Sequence, residues 1–125
     1  MLLATDLDGT FLAGDPEDRL SLYQTIAAHP EIKLAYVTGR SLEAVLPLLA
    51  DPTLPQPDFI IADVGATLVH GDSLQPIQPL QSVVDARWPG EPQVASAIEP
   101  FGLERQDVPQ ARRCSYFCTP EQAAN

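Results

Sequence analysis

Met1-Leu2-Leu3-Ala4-Thr5-Asp6-Leu7-Asp8-Gly9-Thr10 is an apolar run that ends in two carboxylates two residues apart. The run as far as Leu7, closed by Asp-Gly, suits a strand buried on both faces as in a parallel sheet. Where such a strand gives way to a turn that glycine permits, Asp6 and Asp8 converge on one point above the sheet. A hard cation and a phosphate both suit that point. One carboxylate can attack phosphorus to give an aspartyl-phosphate. The other, held protonated, can donate to the leaving alcohol and later activate water. Backbone N–H groups around Gly9 and the Thr10 hydroxyl are placed to hold phosphate oxygens.

Outward from this stretch, strands and helices alternate. Asp15-Pro16 with Asp18 in the first turn starts a helix, Leu20, Tyr23, Ile26 and Ala27 repeat at helical spacing, and His29-Pro30 stops it. Residues 32–37 form a second apolar strand, and Ser41 caps a helix running to about Ala50. Pro47 falls inside that helix at a cost of about 3 kcal/mol in an ideal interior, which predicts a kink or a tight end. A proline-rich loop over residues 51–57 leads to a third strand at residues 59–62. This order predicts a right-handed parallel α/β layer with ligands gathered at the carboxyl ends of its strands, where residues 6–10, 38–41 and 63–65 lie. Residues 66–69 and 74–77 then read as a hairpin around His70-Gly71-Asp72-Ser73, residues 80–88 and 92–101 as helices, and the segment around Cys114 as a strand.

Composition narrows the function classes. A chain of 125 residues with 45% hydrophobic content buries one core, alone or with a piece of a second domain. Its net charge of -10 disfavours nucleic acid and anionic membrane as partners. There is no basic segment ahead of an apolar run and no stretch approaching the roughly 20 apolar residues of a membrane span, so the reading is cytoplasmic. Cys114 and Cys118, four strand residues apart, would be separated by about 13 Å against a disulfide limit of about 7 Å, so both are expected to be free thiols. His29 and His70 are isolated, which argues against a zinc site. Asp-x-Asp-Gly alone is often only a turn. An EF-hand loop starting at Asp6 would need its glycine where Phe11 stands, and no G-x-x-x-x-G-K-[ST] occurs, so a calcium loop and a nucleotide P-loop both fail.

Asp6-Leu7-Asp8-Gly9-Thr10 and Val37-Thr38-Gly39-Arg40 together resemble the first two motifs of the haloacid dehalogenase superfamily of phosphatases, D-x-D-G-T after the first strand and a Thr or Ser after the second. The resemblance implies a Rossmannoid α/β core. It makes Asp6 the nucleophile and a metal ligand, and Asp8 the general acid/base, with Mg²⁺ held by both. Gly9, Thr10, Thr38 and Gly39 would bind the phosphate, and Arg40 and Ser41 are candidates for substrate contact. Residues 34–43 and 57–65, Asp15, Trp88 and Ser115-Tyr116-Phe117 are similar to the sucrose-phosphate phosphatase branch. Ala66-Thr67 and Arg112-Arg113 depart from that branch, which usually has a Lys before the cysteine position.

The superfamily's third-motif Lys and fourth acidic motif have no counterpart. The single lysine, Lys33, precedes the second strand at the wrong end, and Gly71-Asp72 is followed by Pro76 where another acid belongs. The resemblance therefore assigns residues 1–80 to an incomplete core and residues 81–125 to the opening of an α/β cap. The expected whole-protein activity is Mg²⁺-dependent hydrolysis of a small-molecule sugar phosphate monoester, sucrose-phosphate-like, through an aspartyl-phosphate. The alternative is a non-catalytic fragment or regulatory sugar-phosphate-binding module fused in nature to a glycosyltransferase. With the later core strand missing, the first strand becomes a sheet edge open to self-association.

Overall fold

A computed structural model describes residues 1–108 and 112–124. β1 (Leu2–Asp6), β2 (Lys33–Val37), β3 (Phe59–Ala62) and β4 (Thr67–His70) form one sheet in that order. The first three are parallel, with Asp6 level with Val37 and Val37 level with Ile61. Their carboxyl ends therefore finish side by side, at the position where α/β sheets collect ligands.

Helix α1 (Pro16–Ala27) joins β1 to β2, and α2 (Leu42–Leu49) joins β2 to β3. The Asp15 side chain accepts from the Glu17 amide at 2.9 Å and Pro16 occupies the first helical turn, so both start signals act as the sequence predicts. Ser41 caps α2 by accepting from the Ala44 amide at 3.3 Å. Pro47 is accommodated because α2 ends two residues later. The Ala50 and Asp51 amides close on the carbonyls of Pro47 and Leu48 at 3.3 and 3.2 Å, a tight final turn.

The core lies between these helices and the sheet. Leu34 and Tyr36 of β2, Ile60 of β3 and Val45 of α2 are fully buried, and the ring of Phe11 sits 4.8 Å from Tyr23 and 5.7 Å from Tyr36. Tyr23 donates its hydroxyl hydrogen bond to the Phe11 carbonyl and Tyr36 to that of Pro55. Burial pushes the Tyr36 hydroxyl pKa well up, so it stays a neutral donor.

Two expectations are corrected and a third, the hairpin, is extended. β1 is not buried on both faces: its burial alternates and Leu2 is 63% exposed, while its pairing with β2 alone among the described residues is the edge position expected of it. The hairpin expected of residues 66–69 and 74–77 is present in short form, with the His70 amide on the Gln75 carbonyl and the Ile77 amide on the Leu68 carbonyl, both at 2.9 Å, but β4 also pairs antiparallel with β3, in register Ala62 to Thr67, which the sequence reading did not anticipate. Left-handed backbone at Asp63, Val64 and Gly65 (φ 52°, 58° and 96°) reverses the chain at once. The bridge of Val69 to Pro76 lies between those two bonds and the ladder goes no further, because the Leu68 amide is taken by the Gln81 side chain at 2.7 Å and the Leu74 amide by the His70 carbonyl at 2.9 Å. Around Cys114, strand pairing among the described residues is that of β6 (Tyr116–Phe117), which meets β5 (Glu104–Arg105) antiparallel.

Helices α3 (Leu80–Asp85) and α4 (Glu91–Ile98) occupy the two regions read as helical, and α5 (Pro120–Ala123) follows β6. Gln81, where the sequence reading sets its domain boundary, is 2% exposed. Its side chain accepts from the Leu68 amide at 2.7 Å and donates to the Ala66 carbonyl at 3.1 Å and to Asp85 at 2.8 Å, tying α3 to β4. Both cysteines are free, and among the described residues no helix is long and apolar enough to cross a membrane.

Candidate active site

β1 ends at Asp6, and the chain then makes a wide turn over Leu7–Phe11 closed by the Leu12 amide on the Leu7 carbonyl at 2.9 Å. Leu7 and Phe11 are buried and anchor the turn, while Gly9 takes φ 75°, which a side chain would disfavour. Asp6, Asp8, Gly9 and Thr10 are thereby held at the surface above the sheet. The Thr10 hydroxyl donates to Asp6 Oδ2 at 3.3 Å.

Residues 38–40 lie beside this turn because β2 is paired directly to β1. Thr38 is buried, its amide continues the sheet onto the Ile61 carbonyl at 2.9 Å, and its hydroxyl accepts from the Arg40 amide at 3.1 Å. The left-handed turn after β3 supports the loop from behind. The Asp63 amide donates to the Arg40 carbonyl at 2.8 Å and the Val64 amide to the Thr38 carbonyl at 3.3 Å. Asp6, Val37, Thr38, Gly39, Val64 and Gly65 line a shallow cleft of about 280 Å³.

The second carboxylate is engaged elsewhere. Arg40 donates from Nε to Asp8 Oδ2 at 2.7 Å and from Nη2 to Asp8 Oδ1 at 2.6 Å. Those bonds hold the Asp8 carboxyl below the usual carboxylate range and raise the Arg40 guanidinium. Asp8 is thus ionised in this arrangement, and proton donation by it requires Arg40 to move off.

Among the described residues no cluster of three His, Cys, Asp or Glu side chains forms a metal site. With the Asp8 carboxylate on Arg40, the Asp6 carboxylate is the acidic donor that lines the cleft, and the superfamily resemblance adds the Asp8 backbone carbonyl. Mg²⁺ keeps several waters and takes one or two carboxylates plus substrate phosphate, so this donor pair fits that ion when a phosphate shares its shell.

The structure brings Asp6, Thr38 and Gly39 into one cleft and sets Asp8 and Arg40 against each other at its side. Gly9 and Thr10 shape the turn. Ser41 is buried and its hydroxyl caps α2, so it faces the helix rather than the cleft. Sequence reasoning missed the role of Asp63 and Val64 as supports for residues 38–40. It also missed Arg113, which donates to the Gly39 carbonyl from the far end of the chain. The one signal for Arg113 is a pair of adjacent arginines in an otherwise acidic chain.

A family profile described as sucrose-6F-phosphate phosphohydrolase matches residues 1–125. The chain belongs to the sucrose-6F-phosphate phosphohydrolase family. Its place in the haloacid dehalogenase superfamily, expected from the first two motifs, follows from that membership. It is 89% identical over its whole length to a glucosylglycerol-phosphate synthase of Pseudomonas anguilliseptica, of which it covers 17%. A putative HAD-like hydrolase of Nitrosococcus oceani is 33% identical over 97% of this chain and 36% of its own length. The sucrose-phosphatase of Synechocystis sp. PCC6803, solved in complex with sucrose and phosphate, superposes with a TM-score of 0.76 at 25% identity, over 97% of this chain and 50% of that one. The chain thus spans half or less of the length of these relatives.

Proposed function

We propose that this chain carries the nucleophile-bearing part of a Mg²⁺-dependent phosphatase acting on the phosphate monoester of a small glycoside. The observation that carries the reading is that Asp6 shares one cleft with Thr38 and Gly39 at the carboxyl ends of β1 and β2. An oxygen of the Asp6 carboxylate attacks phosphorus as the bond to the sugar oxygen breaks, leaving an aspartyl-phosphate. Asp8, once protonated, gives its proton to the departing sugar oxygen. It then takes one from the water that attacks the same phosphorus and releases inorganic phosphate and the free Asp6 carboxylate. Thr38 and the Gly39 amide hold the phosphate oxygens, and Thr10 steadies Asp6. Bound through the Asp6 carboxylate and the Asp8 carbonyl, Mg²⁺ would offset phosphate charge.

The substrate is a sucrose-phosphate-like disaccharide ester or, given the name of the 89% identical relative, the phosphate of a glucosylglycerol. We place the reaction in the cytoplasm, as the sequence reading has it. Substrate choice resides in the cap that follows the core, which we place from residue 81 onward, since the core groups address only the phosphate. Initial rates on sucrose phosphate and glucosylglycerol phosphate, measured with the protein at its natural length, test this. Preference for one glycoside phosphate over a simple alkyl phosphate is expected, and equal rates on all three would count against a sugar phosphatase.

One observation favours a second reading. Asp8 is engaged by Arg40, and the lone lysine is paired to Asp58 at 3.3 Å at the far end of β2. A regulatory sugar-phosphate-binding module fused to a glycosyltransferase would need no proton donor. A downstream Lys and acidic pair in the parent protein distinguishes the catalytic reading from this one.

A further inference from the structure

Arg113 reaches the candidate site from 74 residues away in sequence. One terminal nitrogen donates to the Gly39 carbonyl, and Nε lies 3.6 Å from Asp63 Oδ1. Asp63 is 3% exposed. Its Oδ2 accepts from the Thr67 hydroxyl at 2.6 Å, whereas Oδ1 has no hydrogen bond, so the Arg113 charge is what offsets its burial. The neighbouring Arg112 runs alongside, donating to Asp85 at 2.7 Å and to Thr67 at 3.4 Å.

These contacts converge on a single peptide group. The oxygen of the Gly39–Arg40 peptide is held by Arg113, and its N–H by the Thr38 hydroxyl at 3.1 Å. Gly39 is the residue of the loop with the greatest backbone freedom, so a clamp at both ends of its following peptide fixes where the loop points. The turn behind it stores strain: Asp63 and Val64 sit at φ 52° and 58°, a conformation costing about 1–3 kcal/mol for such residues unless its surroundings enforce it. The Arg113 pair with Asp63 and the two amide bonds from Asp63 and Val64 to residues 40 and 38 are that enforcement.

We infer that Arg113 is a positioning residue: through Asp63 and the Gly39 carbonyl it pins the C-terminal segment onto the 38–40 loop, so that docking of this segment and shaping of the anion loop are one event. The consequence for phosphate binding rests on the phosphatase reading. By linkage, an anion at Gly39 tightens the docked segment to the extent that the segment tightens the anion.

Cys114, next to Arg113 in sequence and half-buried with its thiol 4.0 Å from the Glu91 carbonyl, is a thiol probe of the segment that Arg113 anchors. In the full chain with Cys118→Ser, we would measure alkylation of Cys114 by iodoacetamide and hydrogen exchange at the Asp63 and Val64 amides. Arg113→Gln, Arg113→Lys and Asp63→Asn would be compared, each checked for folding by circular dichroism. Arg113→Gln should speed both alkylation and exchange about tenfold, the size expected on losing a charge-assisted hydrogen bond. Arg113→Lys should recover part of the protection, because an ammonium keeps the charge but cannot span both partners. Inorganic phosphate should slow Cys114 alkylation in the parent and not in Arg113→Gln. Rates in a folded Arg113→Gln within twofold of the parent at both probes would overturn the inference. Acceleration in Arg113→Gln without any phosphate protection in the parent would leave the pin standing and remove the anion-site reading.

Discussion

Arg40 holds both carboxylate oxygens of Asp8, at 2.7 and 2.6 Å, across 32 residues of sequence. The pair joins the turn after β1 to the loop after β2 and places the proposed acid/base in its ionised form. The catalytic cycle proposed for Asp8 then has a definite first requirement, release of Arg40, which an arriving phosphate would favour by competing for the guanidinium.

Removal of the guanidinium should return Asp8 to ordinary behaviour. In a carbon-detected NMR titration, the Asp8 carboxyl should titrate below the usual carboxylate range in the parent and close to about 3.9 in Arg40→Leu. An unchanged midpoint in the variant would mean that Arg40 does not hold Asp8 in solution.

Acid should destabilise the fold. Asp8 is lowered chiefly by its hydrogen bonds from Arg40, Asp58 by the Leu34 amide and Asp85 by Arg112. Each has a folded pKa below its unfolded value of about 3.9, so its contribution is present above that pH and lost as pH falls through the folded value. Urea midpoints should be flat from pH 7 to about 5 and fall below about 4. A midpoint that rises on acidification would contradict the assignment.

Gly71 should be intolerant of any side chain. A Cβ there would lie 1.8 Å from the Pro57 carbonyl oxygen, backbone that cannot step aside while the Gly71 amide is bonded to Asp58 at 2.8 Å. Gly71→Ala should cost about 3 kcal/mol by urea unfolding. Gly9→Ala, with open space around it but φ 75°, should cost about 1 kcal/mol. Equal losses in the two would show that the close approach at Gly71 is relieved elsewhere.

The fold was legible where local chemistry decides it. Asp15 and Ser41 each announced a helix start, and the apolar runs at residues 32–37 and 59–62 became β2 and β3. What was hidden depended on contacts between distant residues. No periodicity marks Asp63 and Val64 as left-handed, so the reversal that makes β4 the antiparallel partner of β3 was missed, whereas the next reversal, at residues 70–74, was legible from its turn residues. In the candidate cleft, Asp6, Thr38 and Gly39 were legible as neighbours because each stands at a strand end and within a stretch that resembles a superfamily motif. The Asp8–Arg40 pair, the capping duty of Ser41 and the reach of Arg113 were not, since sequence spacing does not report which side chains meet.

The free edge of β1 is a further consequence of sheet order. Its outer hydrogen-bonding groups have no strand beside them among the described residues, and Leu2 and Ala4 are exposed along it. We propose that the isolated chain self-associates there. Sedimentation velocity should show mass rising with concentration in the parent and a monomer in Ala4→Lys, since a charge blunts strand addition. Association undiminished in Ala4→Lys would place the contact elsewhere.

The central claim is that Asp6 becomes phosphorylated. With the protein at its natural length, Mg²⁺ and a glycoside phosphate, turnover would be acid-quenched, the acyl phosphate reduced with borohydride, and the modified peptide mapped. Homoserine is expected at position 6, with both this modification and turnover lost in Asp6→Asn. Turnover that survives in Asp6→Asn, or a modification that maps to another residue, would contradict the claim.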